Sequence, residues 1–213
     1  MKHLLITRPE HDTATFYISK WSEEIIKEAE TKGFKVFDLD KDKARRKNVE
    51  SYLKSKEIPL LIFNGHGDEN SIFGHNDEII IAKGQNEEIL KGKIVYTIAC
   101  HAAKSLGKEC IKKGTKCFIG YKEKFMFYYD ANKSASPLKD RWAKPFFVST
   151  NKIPISLIKG NTTKVSKKKA IEEFKRWIIR LRKFKDLEVP FVLKTLLWDM
   201  TFLTLLGDEN AKV

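Results

Sequence analysis

The stretch LLIFNGHGDEN, residues 60–70, decides which fold the sequence predicts. Its apolar run ends at Phe63 and is followed within a few positions by Gly65, His66 and Gly67. A run that is apolar throughout is expected in a central strand of a parallel sheet, because such a strand is covered on both faces. A histidine that only fills space in a core needs no flexible glycine on either side. The pattern therefore predicts that the end of this strand presents His66 to a partner group.

A second apolar run, GKIVYTIACHAA at residues 92–103, ends in Cys100. In an open parallel sheet, reactive side chains collect just beyond the carboxyl ends of the strands. If the strands that precede His66 and Cys100 are neighbours, they lie about 5 Å apart and bring the imidazole and the thiol together. A thiol beside an imidazole is a nucleophile with a general base next to it.

Backbone features of the two strand ends fit the same chemistry. A helix predicted to begin at Ala102 places a helix N-terminus beside Cys100, which together with the imidazole of His66 would lower the pKa of the thiol. The amides of Gly67 and Cys100 are placed to point at the oxygen of a tetrahedral intermediate. These residues predict acyl transfer to a cysteine nucleophile.

Plainer interpretations stay open at this point. His66 also fits a turn histidine bonded to the backbone, and Cys100 fits a small buried apolar side chain, as most free cysteines are. Cys110 and Cys117, on a predicted helix and at a strand start, fit a structural role. A zinc site made of these three cysteines and His101 is disfavoured, because the sequence contains no Cys-x-x-Cys pair. The spacing of the cysteines therefore gives no support for a zinc site.

The rest of the chain alternates short apolar runs with segments of helical period. Strands are predicted at residues 3–7, 35–39, 59–63, 93–99 and 117–121, and a β-hairpin over 71–81. Helices are predicted from Asp12 or Thr13 to Gly33, over 48–56 and over 103–114. Strands separated by helices imply right-handed crossovers and a mainly parallel sheet with both faces covered. The predicted fold class is an α/β sandwich.

The periodicity weakens after Tyr121. Residues 122–140 combine aromatic with small polar residues and are predicted to be a mobile connection. Residues 165–185 have the spacing of an amphipathic helix. We therefore divide the chain into an α/β domain at 1–160 and a C-terminal helical extension at 161–213, which packs on the same domain.

The apolar segment at 189–207 is long enough, at about 20 residues, to come close to spanning a bilayer. Lys194 and Asp199 inside it favour a packed or partner-binding helix instead, so no transmembrane span is predicted. The region 165–207 is predicted to contact a protein partner or a second copy of the chain.

Charge and cysteine content limit the class of protein. The formal net charge is +13, and residues 164–186 hold ten basic and three acidic side chains. This excess is compatible with nucleic acid or another acidic partner, but such a run is more often the solvated face of a helix, so nucleic acid is not favoured. An odd number of cysteines and a start without a signal-peptide pattern fit a reducing cytosol, and we predict a cytoplasmic protein.

The two strand ends resemble those of the caspase-like cysteine peptidases, the group that includes caspases, gingipains, clostripain, separase and the CHAT domains. Its mark is a hydrophobic strand that ends in His-Gly and a second that ends in Ala-Cys, matched here by His66-Gly67 and Ala99-Cys100. The resemblance covers residues 58–121 in detail and 3–180 as general topology. CHAT and gingipain- or clostripain-like members are the most similar in pattern.

This resemblance implies a caspase-like three-layer sandwich and hydrolysis of peptide bonds through an acyl-enzyme, with His66 as base and Cys100 as nucleophile. It implies that the reaction requires no metal ion and no cofactor. It also implies that loops near the nucleophile build the pocket for the first substrate side chain, with the candidates Arg8, Asp12, Tyr121, Glu123 and Asp130. An acidic residue there favours cleavage after Lys or Arg, and an arginine favours an acidic substrate side chain; we favour the first. The alternative function is a non-catalytic or regulatory module of this fold, which binds a protein or nucleic acid through its basic helix.

Overall fold

The computed structural model describes residues 2–213. Its strands are β1 (His3–Arg8), β2 (Lys35–Asp40), β3 (Leu60–Phe63), β4 (Ser71–Phe73), β5 (Ile79–Ala82), β6 (Ile94–Thr97), β7 (Cys117–Tyr121) and β8 (Leu203–Gly207). Six of them form the central sheet in the order β2-β1-β3-β6-β7-β8, and β4 pairs with β5 in a separate antiparallel hairpin. All neighbours in the central sheet are parallel except β8, which runs antiparallel to β7. The predicted mainly parallel sheet and the hairpin are confirmed.

Helices cover both faces of this sheet. They are α1 (Thr13–Thr31), α2 (Arg46–Ser55), α3 (Leu106–Lys112), α4 (Lys144–Thr150), α5 (Lys152–Ile158), α6 (Thr163–Leu181) and α7 (Val189–Phe202). As predicted, α1 stops at Gly33, which adopts the left-handed φ of +74° that a glycine accepts without steric cost.

Alternate residues of each strand face opposite layers, which produces two separate cores. Leu5, Leu61 and Val95 pack with α2, α3 and the hairpin, whereas Leu4 and Leu60 face α1 and the four C-terminal helices. The inner strands β1, β3, β6 and β7 are therefore buried on both sides, and this explains why the runs that predict them are mostly apolar. The result is the three-layer α/β sandwich.

The C-terminal apolar segment differs from the prediction. The expected single helix over 189–207 ends at Phe202, and the chain continues as β8, whose backbone pairs with β7 along its whole length. Without β8, the apolar strand β7 would present an unpaired edge to solvent, so the pairing gives a physical reason for the switch from helix to strand. No helix within residues 2–213 is long and apolar enough to cross a membrane.

Residues 122–140 also differ from the expected mobile connection. They contain only short 3₁₀ turns, but Phe125 is buried, and its ring and that of Phe127 pack against Phe147. The buried carboxylate of Asp140 accepts hydrogen bonds from the hydroxyl of Tyr17 and from the backbone. These contacts hold the connection against the larger core. The C-terminal part 161–213 shares that core, and the boundary at residue 160 remains a prediction.

Candidate active site

The two predicted strand ends lie next to each other. β3 and β6 are direct neighbours, and their last residues, Phe63 and Thr97, pair in register. His66 and Cys100 follow these two residues at the same distance along the chain, so they leave the same edge of the sheet side by side. The expectation that the two strands are neighbours is confirmed.

Asp12 holds the imidazole of His66 from the start of α1. Its Oδ1 accepts a hydrogen bond of 2.7 Å from the amide of Thr15 and caps the helix, while its Oδ2 lies 2.6 Å from Nε2 of His66. Burial would raise the pKa of this carboxyl, but the hydrogen bonds from Thr15 and His66 outweigh it and lower the pKa to about 2. Because an ionised carboxylate only accepts, Nε2 of His66 is the donor and carries a proton.

Cys100 is partly buried, and its Sγ lies 3.8 Å from the carbonyl oxygen of Phe125. Burial raises the pKa of the thiol above its ordinary value, although the backbone at Phe125 and the charge of Lys124 partly offset the effect. The predicted helix N-terminus is not there, because α3 begins only at Leu106. The expectation of a thiol with a lowered pKa is therefore wrong, and burial is the reason.

Gly67 lies directly against the end of β6. A Cβ at this position would stand 2.7 Å from the Cβ of Ala99 and 2.8 Å from the carbonyl oxygen of Ser71. Gly67 lies opposite Ile72 in an antiparallel bridge. The backbone hydrogen bonds of this bridge are made by the carbonyl of His66 and the amide of Asp68, not by Gly67.

In the described part of the chain, neither the amide of Gly67 nor that of Cys100 has a hydrogen-bond acceptor. Unused amides at an exposed edge are available to a bound oxygen atom. The sequence prediction named both, and the structure brings their two segments into contact.

A strained turn follows Cys100. His101 has a φ of +60°, which is uncommon for any residue except glycine. Its amide donates to the carbonyl of Glu123 over 3.2 Å, and its Nδ1 lies 3.4 Å from the carboxylate of the same residue. Glu123 thus supports the turn that follows the nucleophile candidate.

The segment next to the thiol is attached to α7, a support that sequence reasoning missed. Trp198 donates from Nε1 to the carbonyl of Lys124 over 2.9 Å, and the fully buried Asp199 accepts from the amide of Met126 over 3.1 Å. Burial raises the pKa of Asp199 well above its ordinary value. In the sequence, Asp199 stands out as a carboxylate inside an apolar segment. Its position argues against a membrane span but does not indicate the hydrogen bond to Met126.

The other residues proposed for a substrate pocket lie elsewhere. Arg8 is nearly buried and pairs with Asp38 over 2.6 Å, and Tyr121 is fully buried with its hydroxyl 2.7 Å from Thr150. Asp130 accepts from the amide of Asn132 at the start of a 3₁₀ turn. The backbone carbonyl of Tyr121 accepts from the amide of Ala103 in the turn after Cys100, but its side chain is in the core. Glu123 is the pocket candidate whose carboxylate approaches this turn, at His101.

A group of metal-binding side chains adjoins His66. One ligand atom each of His11, Asp12 and His66 lies within 4.8 Å of the others. The ring of His11 stands between those of His66 and His75, at centroid distances of 5.8 and 5.6 Å. No pattern in the sequence indicates this contact, because it joins the loop after β1 to the distant hairpin.

Comparison with known proteins gives structural neighbours only. No protein-family model matches the chain, and neither does any curated protein. The solved structure of the Arg-specific cysteine proteinase gingipain R superposes with a TM-score of 0.63 and 15% identity, over 100% of this chain and 47% of that one. The complex of the pro- and mature domains of Porphyromonas gingivalis RgpB gives a TM-score of 0.60 and 13% identity, over 98% and 47%.

The chain therefore spans about half the length of these neighbours. At this identity the likeness shows the fold alone. The chain has the caspase-like fold, and the predicted fold class is confirmed. The closer resemblance to CHAT domains remains a prediction.

Proposed function

We propose that this protein is a cysteine endopeptidase with Cys100 as nucleophile, His66 as general base and Asp12 as the residue that orients His66. The observation that carries the proposal is the pairing of Phe63 with Thr97, because the chain segments that carry His66 and Cys100 leave the sheet from these two paired residues. The similarity in fold to an Arg-specific cysteine proteinase supports the same reaction class.

The raised pKa of Cys100 determines how the reaction starts. A thiol of this kind is protonated at neutral pH, so the nucleophile forms by transfer of its proton to His66 as the substrate binds. Asp12 holds the proton of His66 on Nε2, which leaves Nδ1 as the acceptor. The thiolate then attacks the peptide carbonyl carbon, and the electron pair moves to the carbonyl oxygen.

The amides of Gly67 and Cys100 would stabilise that oxyanion. Preformed donors at the position where charge develops often contribute the largest part of the rate enhancement. The imidazolium of His66 then protonates the leaving amine, and a thioester with Cys100 remains. Water, deprotonated by His66, hydrolyses the thioester and restores the thiol.

For the substrate, we propose a protein or peptide with Lys or Arg before the scissile bond. Glu123 supports this choice: its carboxylate is about one-third exposed and belongs to the segment that contacts the turn after Cys100. Arg8, the residue that would favour an acidic substrate side chain, is already paired with Asp38.

The test uses peptide amides that differ in the residue before the scissile bond. Cys100→Ala should abolish hydrolysis, and His66→Ala should lower kcat by about 10²–10⁴-fold, the usual contribution of a general base. Cys110→Ala, which removes a thiol from the core, serves as the control and should keep the activity. Alkylation by iodoacetamide gives a second readout: the proposal fails if Cys100 reacts no faster than the two buried cysteines and if His66→Ala does not slow it.

The alternative is a non-catalytic or regulatory module that binds a protein or nucleic acid through α6 and the segment after it. It is favoured by large apolar side chains that are exposed among basic residues, namely Ile179, Phe184, Leu187 and Phe191. Self-association measured by light scattering should disappear in Phe184→Ser/Leu187→Ser if this surface binds a second copy. Binding to nucleic acid should weaken steeply with salt, and its absence at low ionic strength would exclude that partner.

A further inference from the structure

His11, Asp12 and His66 converge at the edge of the sheet where β1 and β3 end. Their candidate ligand atoms lie within 4.8 Å of one another, and the shortest of these separations joins Asp12 to His66. In a tetrahedral zinc site with bonds near 2.1 Å, neighbouring ligand atoms are about 3.3 Å apart. The three side chains are all partly or fully exposed, so modest rotations about their side-chain bonds would reach this geometry.

The bonding of His11 gives a second, independent observation. Its Nε2 lies 3.3 Å from the carboxylate of Asp77, whereas its Nδ1 is buried and has no hydrogen-bond partner in the described part of the chain. The Nδ1 atom of the adjacent His75 is buried without a partner in the same way. Buried polar atoms are normally satisfied, so the unsatisfied nitrogen of His11, within a group of metal-binding side chains, points to a cation as its partner.

We propose that His11, Asp12 and His66 form a binding site for Zn²⁺, with His75 next to it. Two imidazoles and one carboxylate match the ligands that zinc prefers, whereas Mg²⁺ and Ca²⁺ prefer oxygen ligands. Asp77 would act as the outer carboxylate that fixes a metal-binding histidine. This site is distinct from the cysteine-based zinc site considered from the sequence.

Occupation of this site would switch off hydrolysis, a consequence that rests on the proposed function. Zn²⁺ on Nε2 of His66 replaces the hydrogen bond to Asp12 and moves the proton of a neutral imidazole to Nδ1. An Nδ1 that carries a proton cannot accept the proton of Cys100. Zinc is therefore a reversible inhibitor of the peptidase, and a chelator restores activity.

The binding test is independent of activity and uses Cys100→Ala as the parent protein, so that the nearest thiol cannot bind the metal. Titration calorimetry with Zn²⁺ should give one site per chain. His11→Ala and His66→Ala should each weaken binding at least about 10-fold, the smallest loss expected when a metal site is damaged. His3→Ala is the matched control, since that histidine bonds to the carbonyl of Glu57 on a different part of the surface.

Each outcome decides one part of the proposal. The metal site is refuted if Zn²⁺ does not bind, if Mg²⁺ binds as tightly, or if His11→Ala binds as well as His3→Ala. With Cys100 present, Zn²⁺ should inhibit peptide hydrolysis. Half-inhibition of the His11→Ala variant should require at least about 10-fold more Zn²⁺ than half-inhibition of the wild type. Binding without inhibition would overturn the regulatory role alone, and binding without any hydrolysis would refute the peptidase but leave the metal site established.

Discussion

Nε2 of His66 donates a hydrogen bond of 2.6 Å to Oδ2 of Asp12. The same carboxylate caps α1 through its other oxygen, so the first turn of that helix determines where the histidine points. The sequence analysis assigns Asp12 to a substrate pocket, but in the structure its carboxylate binds His66, the proposed catalytic base.

The two roles of Asp12 can be separated by two substitutions. Asp12→Asn keeps a good helix cap and should change the free energy of unfolding little, whereas Asp12→Ala should lower it by about 1 kcal/mol. Both remove the charge that orients His66, so both should lower kcat by at least about 10-fold, as expected for an orienting carboxylate. Urea denaturation and peptide hydrolysis measure the two effects. Full activity in Asp12→Asn would show that the hydrogen bond has no part in catalysis.

The preference for Lys or Arg is tested by Glu123→Gln. A hydrogen bond to a charged group contributes about 1.5–3 kcal/mol, so kcat/KM for an Arg or Lys substrate should fall at least about tenfold. Hydrolysis of a substrate with alanine at that position should change little, because it never uses the carboxylate. Equal losses on both substrates would mean that Glu123 supports the turn at His101 and does not recognise the substrate.

The sequence predicted those features that depend on neighbours along the chain or on strand order. A helix cap at Asp12 or Thr13, the two strand ends and the hairpin follow from local patterns, and the burial of β3 follows from its apolar run. The convergence of His11, His66 and His75 could not be predicted, because it depends on how the hairpin folds back over the loop after β1. The position of β8 was equally hidden, since an apolar run of that length fits a helix as well as a helix followed by an edge strand.

Asp199 should make the protein less stable as the pH rises. Burial raises the pKa of this carboxyl in the folded state, so the folded protein holds a proton that the unfolded chain loses near its ordinary pKa of 3.8. The stability is therefore complete below that value and declines as the pH rises towards the folded pKa. Asp199→Asn keeps an oxygen acceptor for Met126 and does not titrate. Urea midpoints of the two proteins, measured from about pH 4 to 9, should show that the variant becomes more stable relative to the wild type as the pH rises. Parallel plots of midpoint against pH would contradict the raised pKa.

The three cysteines should differ in their reaction with iodoacetamide. Burial raises the pKa of Cys110 and of Cys117 to about 12, while the partly exposed Cys100 is raised from 9.0 to a smaller extent. Mass spectrometry at neutral pH should find Cys100 modified first and the other two protected until the protein unfolds. The rate at Cys100 should rise with pH to a midpoint above 9.0. A midpoint below neutrality would contradict the raised pKa and would mean that the thiolate already exists before the substrate binds.

Gly67→Ala tests the contact between the two strand ends. Its methyl group would stand 2.7 Å from the side chain of Ala99, too close for either to remain in place, and the strain should cost about 1–3 kcal/mol. Because the shift moves the amide of residue 67 away from the proposed oxyanion, kcat should also fall, by up to about 10²–10³-fold, the value of one such donor.

Gly160→Ala is the matched control for this experiment. Gly160 has a φ of +82°, and a methyl group there would have no atom within 4 Å, so alanine costs about 1–2 kcal/mol of backbone strain without a clash. The two variants should thus lose similar stability, and only Gly67→Ala should lose activity at a temperature where both remain folded. Equal kcat values in the two would remove Gly67 from the proposed oxyanion site and leave it a packing role against β6.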